Sequence, residues 1–575
     1  MLDGQAVGSV APGTGAVSMS ARGNVMPDTL ERRDQDASDP QDKRVGIVNS
    51  VSGFSVSCLL VQPEGASKSS LSYRDAAIGS IIKIPTERNS TAYGFVNSVE
   101  LHINHGAELD SSYAVADIEL FGEIRQRKNG TRKKFTRGVS VYPVLGAPVY
   151  AATHQDMAEI YTKPDTWHLE IGRLYQDAEQ PAYLISQEFL CKHSAILGTT
   201  GSGKSCAVTL ILRSLLGAHP NGHIVMIDPH GEYARAFEGM AEVITPQNLQ
   251  LPYWMLNFEE LCAVFCSKDP LNRAREAGIL KDVIVAAKRD YLRDQEDPPH
   301  VTADTPVPYG LTNVLKRISD AMGKLDRPDN TLPYLRLAAT IESFQADRRY
   351  AFMFASGVAL RDTMSQIVSR ILRIPVEGKP VTIIDLSAIP SEIIDVVVSL
   401  LCRVVFDFAV WSKRDESIPV LLVCDEAHRY VPADDAHGFE PTRLAMARIA
   451  KEGRKYGVSL CLVSQRPSEI SESVLSQCST VFALRMASER DLKFVRSALP
   501  EAASALINTL PALRYQEAVV IGEGVTHPMR IRFLDLEEQF RPVSGSANFP
   551  KAWEADTQDG DFVAQVVDRW RRQQR

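Results

Sequence analysis

One stretch restricts the fold of this chain more than any other: Gly198-Thr199-Thr200-Gly201-Ser202-Gly203-Lys204-Ser205, which satisfies G-x-x-x-x-G-K-[ST] at every fixed position. The apolar Ala195-Ile196-Leu197 before it reads as the end of a short buried strand, and Cys206 to Leu216 after it as an apolar helix. Strand, glycine-rich loop and helix therefore come in the required order. Glycines let successive backbone N–H groups converge on phosphate oxygens, and the helix start adds its partial positive charge. The stretch predicts an α/β core that holds a nucleoside triphosphate along Gly198 to Cys206. Lys204 would reach the β/γ-phosphates, and Ser205 a magnesium ion.

A second constellation completes the first. Ile418 to Cys424 is an uninterrupted apolar run ending in Asp425-Glu426, as expected for a strand buried on both faces with acids at its tip. Phosphoryl transfer needs mainly positioning and charge stabilisation, so one metal-holding acid and one water-polarising acid suffice. Asp425 is expected to bind magnesium and Glu426 to orient and deprotonate the attacking water. A third strand, Val458 to Val463, leads to Ser464-Gln465-Arg466-Pro467, where Gln465 is placed to sense the γ-phosphate. Between these strands a helix is expected over Thr442 to Lys455, carrying Arg448, Lys451, Arg454 and Lys455 towards its end. Cations there suit the helix dipole. The sharper reading makes Arg454 an arginine finger on the nucleotide of a neighbouring subunit, which requires a ring.

The 575 residues are too many for one core and suggest about three units. A net charge of −8 argues against a protein that coats nucleic acid by bulk electrostatics, so any such grip must be local. The nine cysteines stand singly without C-x-x-C pairs, which fits a reducing cytosol better than secretion or zinc. No signal-peptide pattern is present at the start, and a cytoplasmic protein is expected. The apolar segment Ile393 to Trp411 is long enough to span a bilayer but carries Asp395, Arg403 and Asp407. Each such charge costs about 2.5–3.5 kcal/mol at mid-membrane, so a buried helix of a soluble core is expected, with no membrane contact.

Taken in order, residues 1–42 read as a disordered tail rich in Gly, Ala, Ser, Asp and Pro. Short alternating runs from Arg44 predict a small N-terminal β-barrel or sandwich within 43–165. Inside it, Arg125 to Arg137 holds seven basic residues around Asn129-Gly130, a hairpin tip that either contacts DNA or an acidic partner or is simply solvated. Residues 166–540 alternate strands and helices, the pattern of a mostly parallel sheet, interrupted by a helical insertion over 255–375. The 541–575 arm places Phe562, Val563, Val566, Val567 and Trp570 at helical spacing, suited to docking on a neighbouring subunit or on its own core.

With these residues in view, the chain resembles the HerA-type hexameric translocases of the HerA/FtsK superfamily. The resemblance rests on Leu197 to Ser205, on Ile227-Asp228-Pro229-His230-Gly231-Glu232-Tyr233, on Val423 to Pro432 and on Ile449 to Ser468, and it extends over roughly residues 43–540. It implies a RecA-like P-loop ATPase core behind a barrel shared with rotary ATP synthases. It further implies a homohexamer with ATP and Mg2+ at subunit boundaries and double-stranded DNA pulled through the channel. In the family's pattern Lys204 and Ser205 are the phosphate-loop pair, Glu426 the catalytic acid and Arg454 the trans-acting arginine. Partners implied are a NurA-like nuclease in DNA end processing, or a sirtuin-like or nuclease effector in antiviral defence. The alternatives are a nucleotide-dependent scaffold that organises an effector enzyme, and a motor that moves protein.

Overall fold

The alternating runs after Arg44 pair into a barrel. The computed structural model describes residues 43–61, 74–87, 89–103, 112–126, 133–248, 250–297, 299–323, 328–355, 361–413, 416–434, 438–498, 504–543, 553–554 and 560–572; the tail expected over 1–42 lies outside them. The strands are β1 (Arg44–Ser52), β2 (Ser55–Leu60), β3 (Ile81–Glu87), β4 (Ser90–Ile103), β5 (Ser112–Gln126), β6 (Lys133–Arg137) and β7 (Pro148–Ala151). They are ordered β2-β1-β7-β3-β4-β5, and β5 pairs back onto β2, which closes six strands and leaves β6 outside on β5. Closure removes the exposed edges that short strands would otherwise present. Val48, Val56, Cys58, Ile82, Val96 and Ile118 fill the interior. Tyr93, Phe95, Phe121 and Ile124 instead join the core of the larger part of the chain.

That larger part is built on eleven strands: β8 (His168–Leu174), β9 (Pro181–Ile185), β10 (His193–Leu197), β11 (Ile224–Asp228), β12 (Ala241–Ile244), β13 (Val381–Asp385), β14 (Val420–Cys424), β15 (Val458–Ser464), β16 (Cys478–Leu484), β17 (Glu517–Gly522) and β18 (Met529–Phe533). Their order is β12-β13-β11-β14-β15-β10-β16-β17-β18-β8-β9. From β12 to β16 every pairing is parallel. The expected parallel sheet is thus one half of a mixed sheet, because β17, β18, β8 and β9 extend it antiparallel. Strands β10, β11 and β14 are buried along their whole length, as strands covered by helices on both faces must be.

Between β12 and β13 the chain is helical, with its longest helix, Pro270–Tyr291, capped by Asp269 and started by Pro270. The apolar segment singled out in the sequence is the helix Ser391–Trp411, largely buried in the core. Two of its charges are paired: the Arg403 guanidinium donates to the fully buried Glu260 at 2.9 Å and to Asp407 at 3.4 Å, which fastens the helical insertion to the sheet layer. Among the described residues no helix is long and apolar enough to cross a membrane. At the other end of the chain, the helix Gly560–Arg572 buries none of its residues and leaves Val563, Val566 and Trp570 exposed.

The basic stretch of the barrel forms the arms of a hairpin, with Gln126 opposite Lys133, while Asn129-Gly130 lies outside the described residues. Arg137 at the base is a clasp: its guanidinium donates to the carbonyls of Thr526 (2.7 Å), Val525 (2.7 Å) and Gly522 (3.0 Å), in the turn joining β17 to β18. Beside it, His527 packs in an aromatic box, its ring 4.1 Å from that of Phe135 between centroids. Burial, with the Arg137 charge adding to it, pushes the imidazole down to about 3. The unfolded chain would take up the proton near the ordinary value of 6.5 while the native state refuses it, so stability is full above that value and is lost as pH falls towards 3. The loss reaches at most roughly 5 kcal/mol. His527→Phe should flatten the decline in melting temperature between pH 7 and 5, since the buried Nδ1 makes no hydrogen bond to lose. An unchanged acid slope in that variant would remove His527 from this role.

Candidate active site

Because β11, β14, β15 and β10 are neighbours and parallel, their carboxyl ends meet along one edge. Cys424 lies opposite Ile227 of β11 and Leu462 of β15, and Leu197 of β10 opposite Ser464 of β15. Asp228, Asp425, Gln465 and the loop from Gly198 are thereby delivered to one place by register alone. Such strand ends are where open α/β sheets bind ligands.

The loop is held before any ligand arrives. Gly201 and Gly203 have φ of 74° and 101°, values that glycine adopts freely and other residues rarely do. The Thr199 N–H donates to the Arg485 carbonyl at 3.0 Å and the Gly198 N–H to Ser464 at 3.2 Å, which hangs the loop between the ends of β16 and β15. The helix Lys204–Ala218 begins at once behind it. Lys204 is buried, its ammonium donates to the Thr199 carbonyl at 3.2 Å, and burial lowers its pKa against the opposing pull of Glu426, Asp425 and Glu232. Ser205 donates to Glu232 Oε2 at 3.0 Å, and the Thr200 hydroxyl donates to Gln465 Oε1.

The acids form a crowded cluster. Asp228 accepts from the backbone N–H of Gly231 (2.8 Å), Tyr233 (3.0 Å) and His230 (3.2 Å), so it organises the turn that carries Glu232. Burial pushes Asp425 up to about 7, with the Glu426 charge next and Asp228 and Glu232 adding to it. Glu426 sits at φ 51°, a left-handed conformation costing a non-glycine residue about 1–3 kcal/mol, of the kind concentrated at active sites. Its Oε2 lies 3.3 Å from His428 Nδ1, which is engaged by the Ser464 hydroxyl at 3.1 Å, and it is buried without a hydrogen bond of its own. Crowded acids of this kind are a field that a cation neutralises. Among the described residues no group of three or more His, Cys, Asp or Glu is set to hold a metal alone. Magnesium needs only one or two protein ligands and completes its shell with water and phosphate.

Residues 169–405 match the family model described as helicase HerA, central domain. Over most of its length the chain is similar to HerA-type ATPases. It is 24% identical over 501 residues to a probable helicase of Methanocaldococcus jannaschii, covering 84% of this chain and 89% of that one. It is 25% identical to the DNA double-strand break repair helicase HerA of Pyrococcus furiosus, over 83% of this chain and 86% of that one. Among solved structures, VirB4 of Thermoanaerobacter pseudethanolicus aligns with a TM-score of 0.45 at 16% identity, covering 66% of this chain and 98% of that one.

The residues expected at the loop, Gly198 to Cys206 with Asp425, Glu426 and Gln465, come together at one edge, and Arg454 does not. The helix begins at Glu440 and stops at Glu452, and Arg454 and Lys455 lie in a 3-10 turn, Gly453–Tyr456, rather than on the helix expected through Lys455. The break has a steric cause: a Cβ on Gly453 would stand 2.6 Å from the Val458 carbonyl, so the chain can fold back into β15 only through glycine. Arg454 is exposed ahead of β15, on the edge opposite the loop, where its charge reaches His193 at the start of β10. Glu232 and His428 are the site residues that sequence reasoning left without a role. Both stood inside quoted motifs, but only folding shows that Glu232 meets the Ser205 hydroxyl.

Proposed function

We propose that this HerA-type ATPase is the subunit of a homohexameric motor that hydrolyses ATP to translocate double-stranded DNA, with a nuclease or defence effector as its partner. In this reading residues 43–165 form the barrel module, 166–540 the motor with its 255–375 insertion, and 541–575 an arm. The observation that carries the proposal is the composition of the site. Loop, acids and Gln465 converge within one chain, while Arg454 stands at the far edge, where only a neighbour's loop could meet it.

The residues suit the reaction. Backbone N–H groups of Gly201 to Ser205 and the helix start bind the phosphates, and Lys204 moves from the Thr199 carbonyl to the β/γ oxygens. Ser205 and Asp425 would hold Mg2+, which supplies charge neutralisation and alignment of the phosphates. Glu426, with a buried oxygen free of any hydrogen bond, accepts the proton of the attacking water. Gln465 couples the γ-phosphate position to β15. The relatives named as HerA, a DNA double-strand break repair helicase, support DNA as the polymer.

The deciding measurement is steady-state ATPase activity of the full chain with and without linear double-stranded DNA, alongside native mass spectrometry. Stimulation of severalfold by DNA and a six-subunit mass are expected. An ATPase indifferent to DNA, alone and with its effector, would favour the scaffold instead.

A further inference from the structure

The strand order also says where the rest of the nucleotide goes. Acids and Gln465 lie on the β15 side of β10, so a γ-phosphate faces that way and the nucleoside must leave towards β16, β17 and β18. Because β17 and β18 are antiparallel, the start of β17 and the end of β18 return to the loop edge. They bring Gln516, Leu534, Leu536 and Arg541 to a narrow crevice beside the loop helix, shared with Gly203, Cys206 and Ala207, and set Tyr515 on the loop next to it.

Tyr515 is the conspicuous group there. Its ring packs on the loop, since a Cβ on Gly203 would meet Tyr515 Cε2 at 3.4 Å, and its hydroxyl is 3.5 Å from Cys206 Sγ, yet the side chain is 52% exposed. The turn presenting it is rigid. Glu517, buried, accepts from the Arg514 N–H at 3.1 Å and from Arg530 at 2.7 Å, the Phe533 N–H donates to the Gln516 carbonyl at 2.9 Å, and Gln516 is held at φ 66°. A strained, braced turn that sets a half-exposed aromatic ring beside a phosphate loop is a platform for a flat ligand.

We infer that Tyr515, with Gln516 and Arg541 at its rim, forms the nucleoside subsite, where the purine base of the triphosphate stacks on the Tyr515 ring. The inference rests on the proposed triphosphate site and adds the part of the ligand that the loop does not read. Stacking on an aromatic side chain changes affinity by roughly ten- to a hundredfold.

The test is isothermal titration of the full-length protein with magnesium and either ATPγS or inorganic tripolyphosphate. Tyr515→Ala should weaken ATPγS binding tenfold or more and leave tripolyphosphate affinity as in the wild type. Tyr515→Phe should restore ATPγS binding, which a hydroxyl-dependent role would not allow. Equal ATPγS affinity in Tyr515→Ala, or equal loss of both ligands, would overturn the subsite. If the wild-type chain bound neither ligand, the triphosphate reading itself would fall, a result distinct from either of these.

Discussion

Glu426→Gln should leave ATP bound and all but stop its turnover. The carboxylate is buried with one oxygen free of hydrogen bonds, held by a left-handed backbone at the tip of β14, so it is poised to take a proton. An amide of the same shape cannot take that proton, and removal of a general base costs about 10²–10⁴ in rate. Binding should survive because the phosphates are read by loop N–H groups and Lys204 rather than by Glu426. The substitution removes a charge that raises the proton affinity of Asp425 but also supports the buried Lys204 ammonium; the two effects oppose each other, so the melting temperature should stay close to that of the wild type. Those readouts separate a chemical role from a structural one: kcat falls, ATP affinity and melting temperature hold. Near-normal hydrolysis by a folded Glu426→Gln protein would take the base assignment away from Glu426.

What the sequence made legible were features written in local order. The strand-loop-helix around Lys204 and the apolar run before Asp425 each announce themselves within a dozen residues, because full burial of β10 and β14 demands unbroken apolar side chains. The antiparallel half of the sheet was not legible. Its strands β8 and β9 precede the loop, yet β8 pairs with β18 more than 350 residues later, Ile531 against Leu174, and no local pattern encodes such a partner. Tyr515 was hidden for the same reason, since only the β17–β18 pairing brings it to the loop. Where the helix ends at Glu452, Gly453 approaches the Val458 carbonyl too closely for any side chain, a contact that composition does not reveal. Glu232 was quoted for its motif, but its partnership with Ser205 depends on the Asp228 turn closing over it.

Arg454→Ala should abolish hydrolysis from a position that cannot touch its own nucleotide. Strand β15 runs seven residues from Val458 to Ser464, about 23 Å of extended chain, with Arg454 ahead of it and Gln465 just beyond it. An arginine side chain spans only a fraction of that length. If the residue acts, it acts on the next subunit, and an arginine supplied in trans is worth on the order of 10³–10⁵ in rate. The same geometry makes the defect complementable. Lys204→Ala subunits have a dead loop but an intact Arg454, and Arg454→Ala subunits the reverse. In randomly mixed rings with head-to-tail contacts, about a quarter of the boundaries would join an intact loop to an intact arginine. Each pure variant should therefore be inactive and the mixture measurably active, whereas an arginine acting within its own chain would leave every boundary dead. Complete failure of the mixture, in rings shown by mass to contain both subunits, would exclude the trans assignment. With it would go the argument from site composition to a ring.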